Sequence, residues 1–547
     1  MRGRHVFLDS LRLHGVTKIF GNPGTTETPM LDTLIDYPDI DYIMHLHEGV
    51  AVGAANLYAQ ASNSTGVANM HVAPGLGNAI GMIYGGLKNS SPMVITAGAQ
   101  DTRIRLRGPL LGHDLVAMAK PVVKWSIQVE HADEMAMIMA RAFKIAHEHP
   151  QGPVFVALPI NVMEEDTENA AYHAGKLSME GNASDSHLQQ VAELINAASN
   201  PVIVAGDDVV RDEARDTLVA LSEKAGIGVH LELITARFAF PSDHDHFRNK
   251  LGPDYTAING SLGDHDVVIL IGGAFFEEVW YSPDSPFADN ARVIQLESGP
   301  SRLAENIGVD IGIAGQLADS LSRLTSLVND APDRRELLSQ LKRAENDAAA
   351  ERIAALHDRD PMTPYRALTE VAAALPDDAV IADESITAST DVIRNFKLGS
   401  THLFYGAKGG GIGQGVAGAP GVAVAQPNRP VVCISGDGSS MYSIQALWTA
   451  AHHKLNILFV ILSNREYRVL KHNVDQYRRR FNAQSNKPYP HMDLSDPVMS
   501  FTSMAEGMGV PGAQVSKPGE IAGAIADALN QEGPFMLDLV VEGLETR

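Results

Sequence analysis

One cysteine, Cys433, is all that 547 residues contain, so no disulfide can close within the chain. Such thrift with cysteine fits a reducing compartment. Basic residues are also in deficit: 43 Lys and Arg stand against 66 Asp and Glu, a formal charge of −23. That balance excludes the broad basic face that a nucleic acid or an anionic membrane would need, though not one local basic pocket. No run of about 18 uninterrupted apolar residues occurs, so nothing is long enough to cross a bilayer as a helix. The opening residues, MRGRHVFLDSLRLHG, turn polar before any apolar stretch could serve as a signal peptide. Short-period repeats of the solenoid kind are missing too. The expectation left standing is a cytoplasmic protein with no nucleic-acid and no membrane partner.

What is present is ample core material: 45% apolar and 20% charged residues, the balance of a globular chain. The length exceeds one hydrophobic core and predicts about three domains. Strand and helix patterns alternate, with Gly and Pro at strand ends, which predicts an α/β fold of three doubly wound parallel-sheet domains. In the first, Asp41–Leu46, Gly66–Val72, Pro92–Ala97 and Val154–Pro159 read as strands, with helices at Gly49–Gln60 and Asn78–Leu87. In the second, Pro201–Gly206, Gly228–Leu231, Val267–Gly273 and Arg292–Leu296 read as strands. In the third, Asp378–Ala382, Pro430–Ser435, Asn456–Leu462 and Pro534–Val541 do, with a helix at Tyr442–His452. Residues 166–186 are polar and irregular, and Asp333–Arg359 is a charged helical stretch; both read as linkers. The expected domains are 1–165, 188–332 and 360–547.

Gly436-Asp437-Gly438 lies where a buried strand gives way to a helix. In open α/β sheets ligands collect at the carboxyl ends of strands. After Gly438 come 25 residues, room for one helix and one strand, and then Asn464. An acid and an amide oxygen therefore converge at neighbouring strand ends, and hard oxygen ligands suit Mg²⁺. Flanking glycines let the backbone approach a ligand. Ser439 and Ser440 open the next helix, whose free N–H groups favour a phosphate. The spacing describes a Mg²⁺–diphosphate site. Taken singly, the same residues would also make an ordinary strand–turn–helix with Asn464 in a loop.

GDG, some 25 residues and Asn resembles the cofactor motif of the thiamine diphosphate enzymes. Within them the chain is most similar to the benzoylformate decarboxylases, through FGNPGTTE, HEGVAVGAANLYAQAS, GLGNAIG, PVVKWS and GDGSSMYSIQALWTAA. The resemblance implies thiamine diphosphate and Mg²⁺ as cofactors. It implies pyrimidine-binding, middle and diphosphate-binding domains, a homodimer as the smallest active unit and a homotetramer as the usual one. Asp437, Asn464 and the backbone carbonyl of Glu466 would hold Mg²⁺. Gly438, Ser439, Thr387 and Tyr467 would join Asp437 and Asn464 in binding the cofactor. Gly410, through its carbonyl, and Ile412, wedged between the two rings, would shape the cofactor's bend. Glu48 would share a proton with the aminopyrimidine and so activate the cofactor, work that suits a carboxyl shielded from water. His71 and Thr25 match substrate-binding residues, with His71 able to move protons.

Two stretches depart from the resemblance. The close relatives carry a second histidine in the middle domain, where this chain reads Gly273-Ala274-Phe275-Phe276-Glu277-Glu278-Val279 and places Val279 near the expected position. His113, in a loop that reaches the active site in pyruvate decarboxylases, is a candidate replacement as proton donor. After Asn464, Arg465, Arg468, Lys471 and Arg478–Arg480 form a basic cluster. Arg468 is the best candidate there to bind an anionic substrate arm; a salt-bridged surface helix is the plainer reading. The expected activity is non-oxidative decarboxylation of a small-molecule 2-oxo acid to an aldehyde and CO₂. A carboligase or lyase using the same cofactor is the alternative.

Overall fold

The computed structural model of the chain describes residues 1–175, 177, 181–356, 359–483, 485 and 487–543. Residues 176 and 178–180 of the first expected linker, and 357 and 358 of the second, lie outside them. Residues 484, 486 and 544–547 of the expected third domain do as well. The chain divides into two compact units. One comprises 1–177, 357–395 and 407–547; the other comprises 178–356 and 396–406.

The larger unit opens with a parallel sheet of β1 (Lys18–Gly21), β2 (Asp41–Met44), β3 (Gly66–Met70), β4 (Met93–Ala99), β5 (Trp125–Gln128) and β6 (Pro153–Pro159). Their spatial order is β2-β1-β3-β4-β6-β5. The winding reverses between β1 and β3, the switch point where such sheets leave a crevice. Side chains along these strands go alternately to two cores. Val67, Val94, Val154 and Val156 enter one, and Ala68, Ile95, Phe155 and Ala157 the other. Burial on both faces is why the strands read as unbroken apolar runs. Each fully buried Val, Ile or Phe contributes about 1.5–3 kcal/mol.

The smaller unit holds β7 (Pro201–Ala205), β8 (Gly228–Leu231), β9 (Phe247–Lys250), β10 (Val267–Ile271), β11 (Arg292–Glu297) and β12 (Ile311–Ala314). They form a sheet in the order β12-β11-β10-β7-β8-β9, reversing between β10 and β7. The charged stretch expected as the second linker is one helix, Pro332–Leu356, with no buried residue. β14 (Leu403–Gly406) belongs to this unit by its contacts.

The remaining strands return to the larger unit: β13 (Val380–Glu384), β15 (Val431–Gly436), β16 (Ile457–Ser463), β17 (Gly512–Val515) and β18 (Phe535–Val540). They pair in parallel as β13-β15-β16-β18-β17. The helices Glu48–Ser62 and Gln414–Ala425 are buried along nearly their whole length and pack against each other. Both are rich in Gly and Ala, so their backbones meet. A methyl group on Gly53 would lie 2.6 Å from the Ala417 Cβ, and one on Gly421 would strike the Ala54 carbonyl oxygen.

Two boundaries differ from expectation for local reasons. The helix expected from Asn78 begins at Val72. Pro74 does not prevent this, because an amide in the first helical turn has no intrahelical partner to lose. β13 runs on through Asp383 and Glu384, so both acids are strand residues and both are buried.

Candidate active site

At the carboxyl edge of the third sheet, β15 and β16 are neighbours in register, with Gly436 opposite Leu462. The next residues out are therefore brought together. Asp437 Oδ2 accepts the Arg465 N–H at 2.6 Å, Asp437 Oδ1 accepts its neighbour Gly438's N–H at 2.7 Å, and Asn464 Oδ1 accepts the Glu466 N–H at 3.0 Å. Burial pushes the Asp437 carboxyl up to about 6, against the pull of those two N–H groups. Among the described residues no lysine or arginine pairs with it. Nor do three or more His, Cys, Asp or Glu gather there into an all-protein metal cage. Ser439 is buried in a one-turn helix, Asp437–Ser440, and the ring of Tyr467 lies where a side chain on Gly438 would be.

Glu466 is buried, and its carboxylate is spent on Arg468 and Lys471. Its side chain is thus committed to those two cations. Arg468, the candidate for an anionic substrate arm, has partners of its own within the chain. One N–H donates to Glu466 at 3.1 Å, and another donates to the Glu542 carbonyl, so the guanidinium is held within the protein by its own partners.

Thr387 sits just past β13 in the short turn Ile386–Ala388. Gly410 is exposed at φ +72° and Ile412 is half-buried, both on the loop that leads to helix Gln414–Ala425. In the first domain Glu48 opens helix Glu48–Ser62 and is 6% exposed. Its carboxylate accepts from Asn22 Nδ2 at 3.2 Å and from Asn78 Nδ2 at 3.0 Å, which fixes both oxygens.

His71 follows β3, at the switch point beside β1. Its Nδ1 meets Glu27 Oε2 at 2.9 Å. Glu27 is 3% exposed, and its other oxygen accepts from the Thr26 hydroxyl and the Gly98 N–H, at 2.8 and 2.9 Å. The carboxylate holds the proton of His71 on Nδ1 and leaves Nε2 at the accessible edge of the ring. Gly24 is glycine because His71 Nδ1 occupies the place of its Cβ. Thr25, the next residue, is exposed.

His113 is exposed and lines a cavity of about 470 Å³ with Gln100, Arg105, Gln128 and Val72. Its Nδ1 accepts the Asp114 N–H at 2.9 Å, which leaves the proton on Nε2. Val72, the residue after His71, lines the same cavity. Val279, where the resemblance expects a histidine, is 55% exposed in the smaller unit.

Glu27 and Glu384 escape the sequence reading, since a lone glutamate in a turn or at a strand end carries no pattern. A third feature could not be read at all. Val72, Ile386 and Arg465 have φ of +43°, +51° and +58°. Each adjoins a residue singled out above: His71, Thr387 or Asn464. Left-handed backbone is uncommon outside glycine and is most strained at the β-branched Val72 and Ile386, and such strain gathers at functional sites.

Comparison with known proteins agrees along the whole chain. Residues 1–118 match the N-terminal, 188–324 the central and 389–539 the C-terminal domain of the thiamine pyrophosphate enzymes. The chain is 30% identical to a benzoylformate decarboxylase of Pseudomonas aeruginosa over 98% of each chain. It is 28% identical to an acetolactate synthase large subunit of Parasynechococcus marenigrum, over 98% of this chain and 87% of the other. Among solved structures, a thiamine diphosphate-dependent 4-hydroxybenzoylformate decarboxylase of Rhodococcus jostii superposes with a TM-score of 0.87 at 26% identity, covering 100% of both chains.

Proposed function

The chain belongs to the thiamine diphosphate enzymes, and from that premise we propose that it decarboxylates a 2-oxo acid of the benzoylformate kind, releasing an aldehyde and CO₂. The observation that carries this reading is the Glu27–His71 pair, packed against Gly24, which precedes Thr25 in the chain. It is a polar grip of the kind a substrate carboxylate and ketone need, at the first sheet's switch point.

When bound, thiamine diphosphate supplies the nucleophilic carbon that adds to the ketone and the cationic ring that takes up the electron pair left by CO₂. Asp437 and Asn464 side-chain oxygens, with the Glu466 carbonyl, would hold Mg²⁺. The fit rests on Asp437, a buried carboxylate that no lysine or arginine among the described residues neutralises, set beside an amide oxygen. Gly438, Ser439 and Thr387 would take the diphosphate, and Tyr467, Gly410 and Ile412 the rest of the cofactor. Glu48, with both oxygens fixed by Asn22 and Asn78, would exchange a proton with the aminopyrimidine. His71 Nε2 and the Thr25 hydroxyl would orient the substrate, and His113 Nε2 would deliver a proton from the neighbouring cavity. Arg468, bound by Glu466 and the Glu542 carbonyl, has no part in this reading. We propose a homodimer as the smallest active form, on the strength of the family resemblance.

A second reading, a carboligase of the acetolactate synthase kind, is favoured by Val279. Without a histidine there, protonation would be slower and a second carbonyl would have time to react. The test is CO₂ and aldehyde release from aromatic, branched and dicarboxylic 2-oxo acids with thiamine diphosphate and Mg²⁺, alongside Glu48→Gln. Aldehyde release that collapses in the variant is the expected result. No CO₂ from any acid, with cofactor bound, would sink the decarboxylase. CO₂ release with little aldehyde, and an acyloin formed once an aldehyde is added, would instead establish the carboligase.

A further inference from the structure

We propose that Glu384 is a positioning residue for the cofactor, locking the glycine loop that carries Gly410 and Ile412 to the carboxyl end of β13, where Thr387 lies. The inference rests on the assignment of that loop to the cofactor made above.

Glu384 is the last residue of β13 and is 5% exposed. Its carboxylate accepts three backbone N–H groups. Oε1 takes Gly413 at 2.7 Å and Gln414 at 3.1 Å, and Oε2 takes Gly415 at 2.9 Å. These are the last amide of the loop and the first two of helix Gln414–Ala425, donors that have no partner within the helix. Gly413 meets the carboxylate at φ +95°, a conformation that favours glycine, and a Cβ on Gly415 would stand 2.7 Å from the Glu384 Cβ. The Gln414 side chain then closes the loop on itself, donating to the Lys408 carbonyl at 2.9 Å and the Gly411 carbonyl at 2.8 Å. Both ends of the loop are thereby tied, while Gly410 stays exposed with nothing within 4 Å of where its side chain would be.

An ordinary helix cap does not account for this. Ser, Thr or Asn caps a helix with one oxygen and no buried charge. Helix Gln414–Ala425 is already held by burial of most of its residues. Burial pushes the Glu384 carboxyl up to about 7, so the group is kept at an electrostatic disadvantage. Its neighbour Asp383 adds to that, although both Asp383 oxygens are occupied by Ser385 and Ser389. What a carboxylate offers in return is two oxygens that grip three donors at once, which registers the loop against β13.

The test compares the full chain with Glu384→Gln and Ile412→Ala. Three quantities are measured: thiamine diphosphate affinity at saturating Mg²⁺, hydrogen exchange of the cofactor-free protein, and thermal midpoint. In Glu384→Gln the dissociation constant should rise about tenfold, the loss expected when charge-assisted bonds become neutral or unmade. Exchange at Gly413, Gln414 and Gly415 should speed up, with the thermal midpoint little changed. Affinity unchanged in Glu384→Gln but lost in Ile412→Ala overturns the lock alone. Affinity unchanged in both variants overturns the assignment of the loop to the cofactor, and the lock with it. Weakened affinity with the three amides still protected, or with a general fall in thermal midpoint, also overturns the lock.

Discussion

Two strands of this chain run into Gly-Asp at a carboxyl edge, and the two turns have opposite fates. β7 leads into Gly206-Asp207-Asp208. There Asp207 accepts the N–H groups of Ala236 and Arg237 at 3.0–3.1 Å, and Asp208 pairs with Arg211 and, at 2.5 Å, with Arg302. The Gly206 and Asp208 amides donate to the Ile271 and Gly272 carbonyls, each at 2.9 Å, so the crevice at the β7–β10 switch point is laced shut. β15 ends in Gly436, followed by Asp437-Gly438. There the acid receives only N–H groups, and no arginine or lysine of the described residues reaches it. The residue after the aspartate separates the two. A second acid recruits buried arginines and makes a structural centre, whereas glycine leaves the carboxylate without an internal counter-charge. Position at a strand end does not by itself leave a carboxylate open; the missing counter-ion does.

The contrast breaks most visibly at Asp437. Asp437→Ala should lower Mg²⁺-dependent cofactor binding and turnover by more than the roughly 10–100-fold typical of changes outside the metal's own ligands. Titration calorimetry and steady-state rates would measure it, and near-normal affinity would remove the metal from this edge. At the other turn, Arg302→Met should cost about 3 kcal/mol in denaturant unfolding, because Asp208 loses a buried partner. Cofactor affinity should stay as it was; a loss there would mean that the middle-domain cluster is not merely structural.

The smallest effect concerns Glu297, beside Asp208, whose carboxyl burial pushes up to about 8. A folded-state value raised from 4.5 means that the folded chain holds this proton more tightly than the unfolded one. Stability from this group is full below about 4.5 and is lost as pH rises through about 8. The thermal midpoint of the wild type should therefore fall between pH 5 and pH 8 more steeply than that of Glu297→Gln. Parallel curves would show that Glu297 does not titrate in this window.

Much of this was legible beforehand, for physical reasons. Strands buried on both faces, such as Val267–Ile271 and Ile457–Ser463, announce themselves as apolar runs. Edge strands such as Phe247–Lys250, reading FRNK, and Gly512–Val515, reading GAQV, are only partly buried and have no such signature. Asp437 and Asn464 could be paired because one helix and one strand fit between them. Glu27 could not be joined to His71, because 44 residues and two intervening strands separate them and only the folded sheet brings them together. The bond from Arg468 to the Glu542 carbonyl was not legible either, because its acceptor is a backbone group that no pattern of side chains reveals.

The seam between helices Glu48–Ser62 and Gln414–Ala425 has a consequence for how this protein can diverge. Gly53, Gly418 and Gly421 each abut an atom of the opposite helix, with no volume left for a methyl group. A random walk through sequence space meets a bottleneck at these three positions. At Gly53 and Gly418, which face the side chains of Ala417 and Leu57, a replacement can enter only in step with a smaller residue across the seam, whereas Gly421 faces the Ala54 backbone and admits none; the two stretches are therefore bound to drift as one, although more than 350 residues lie between them.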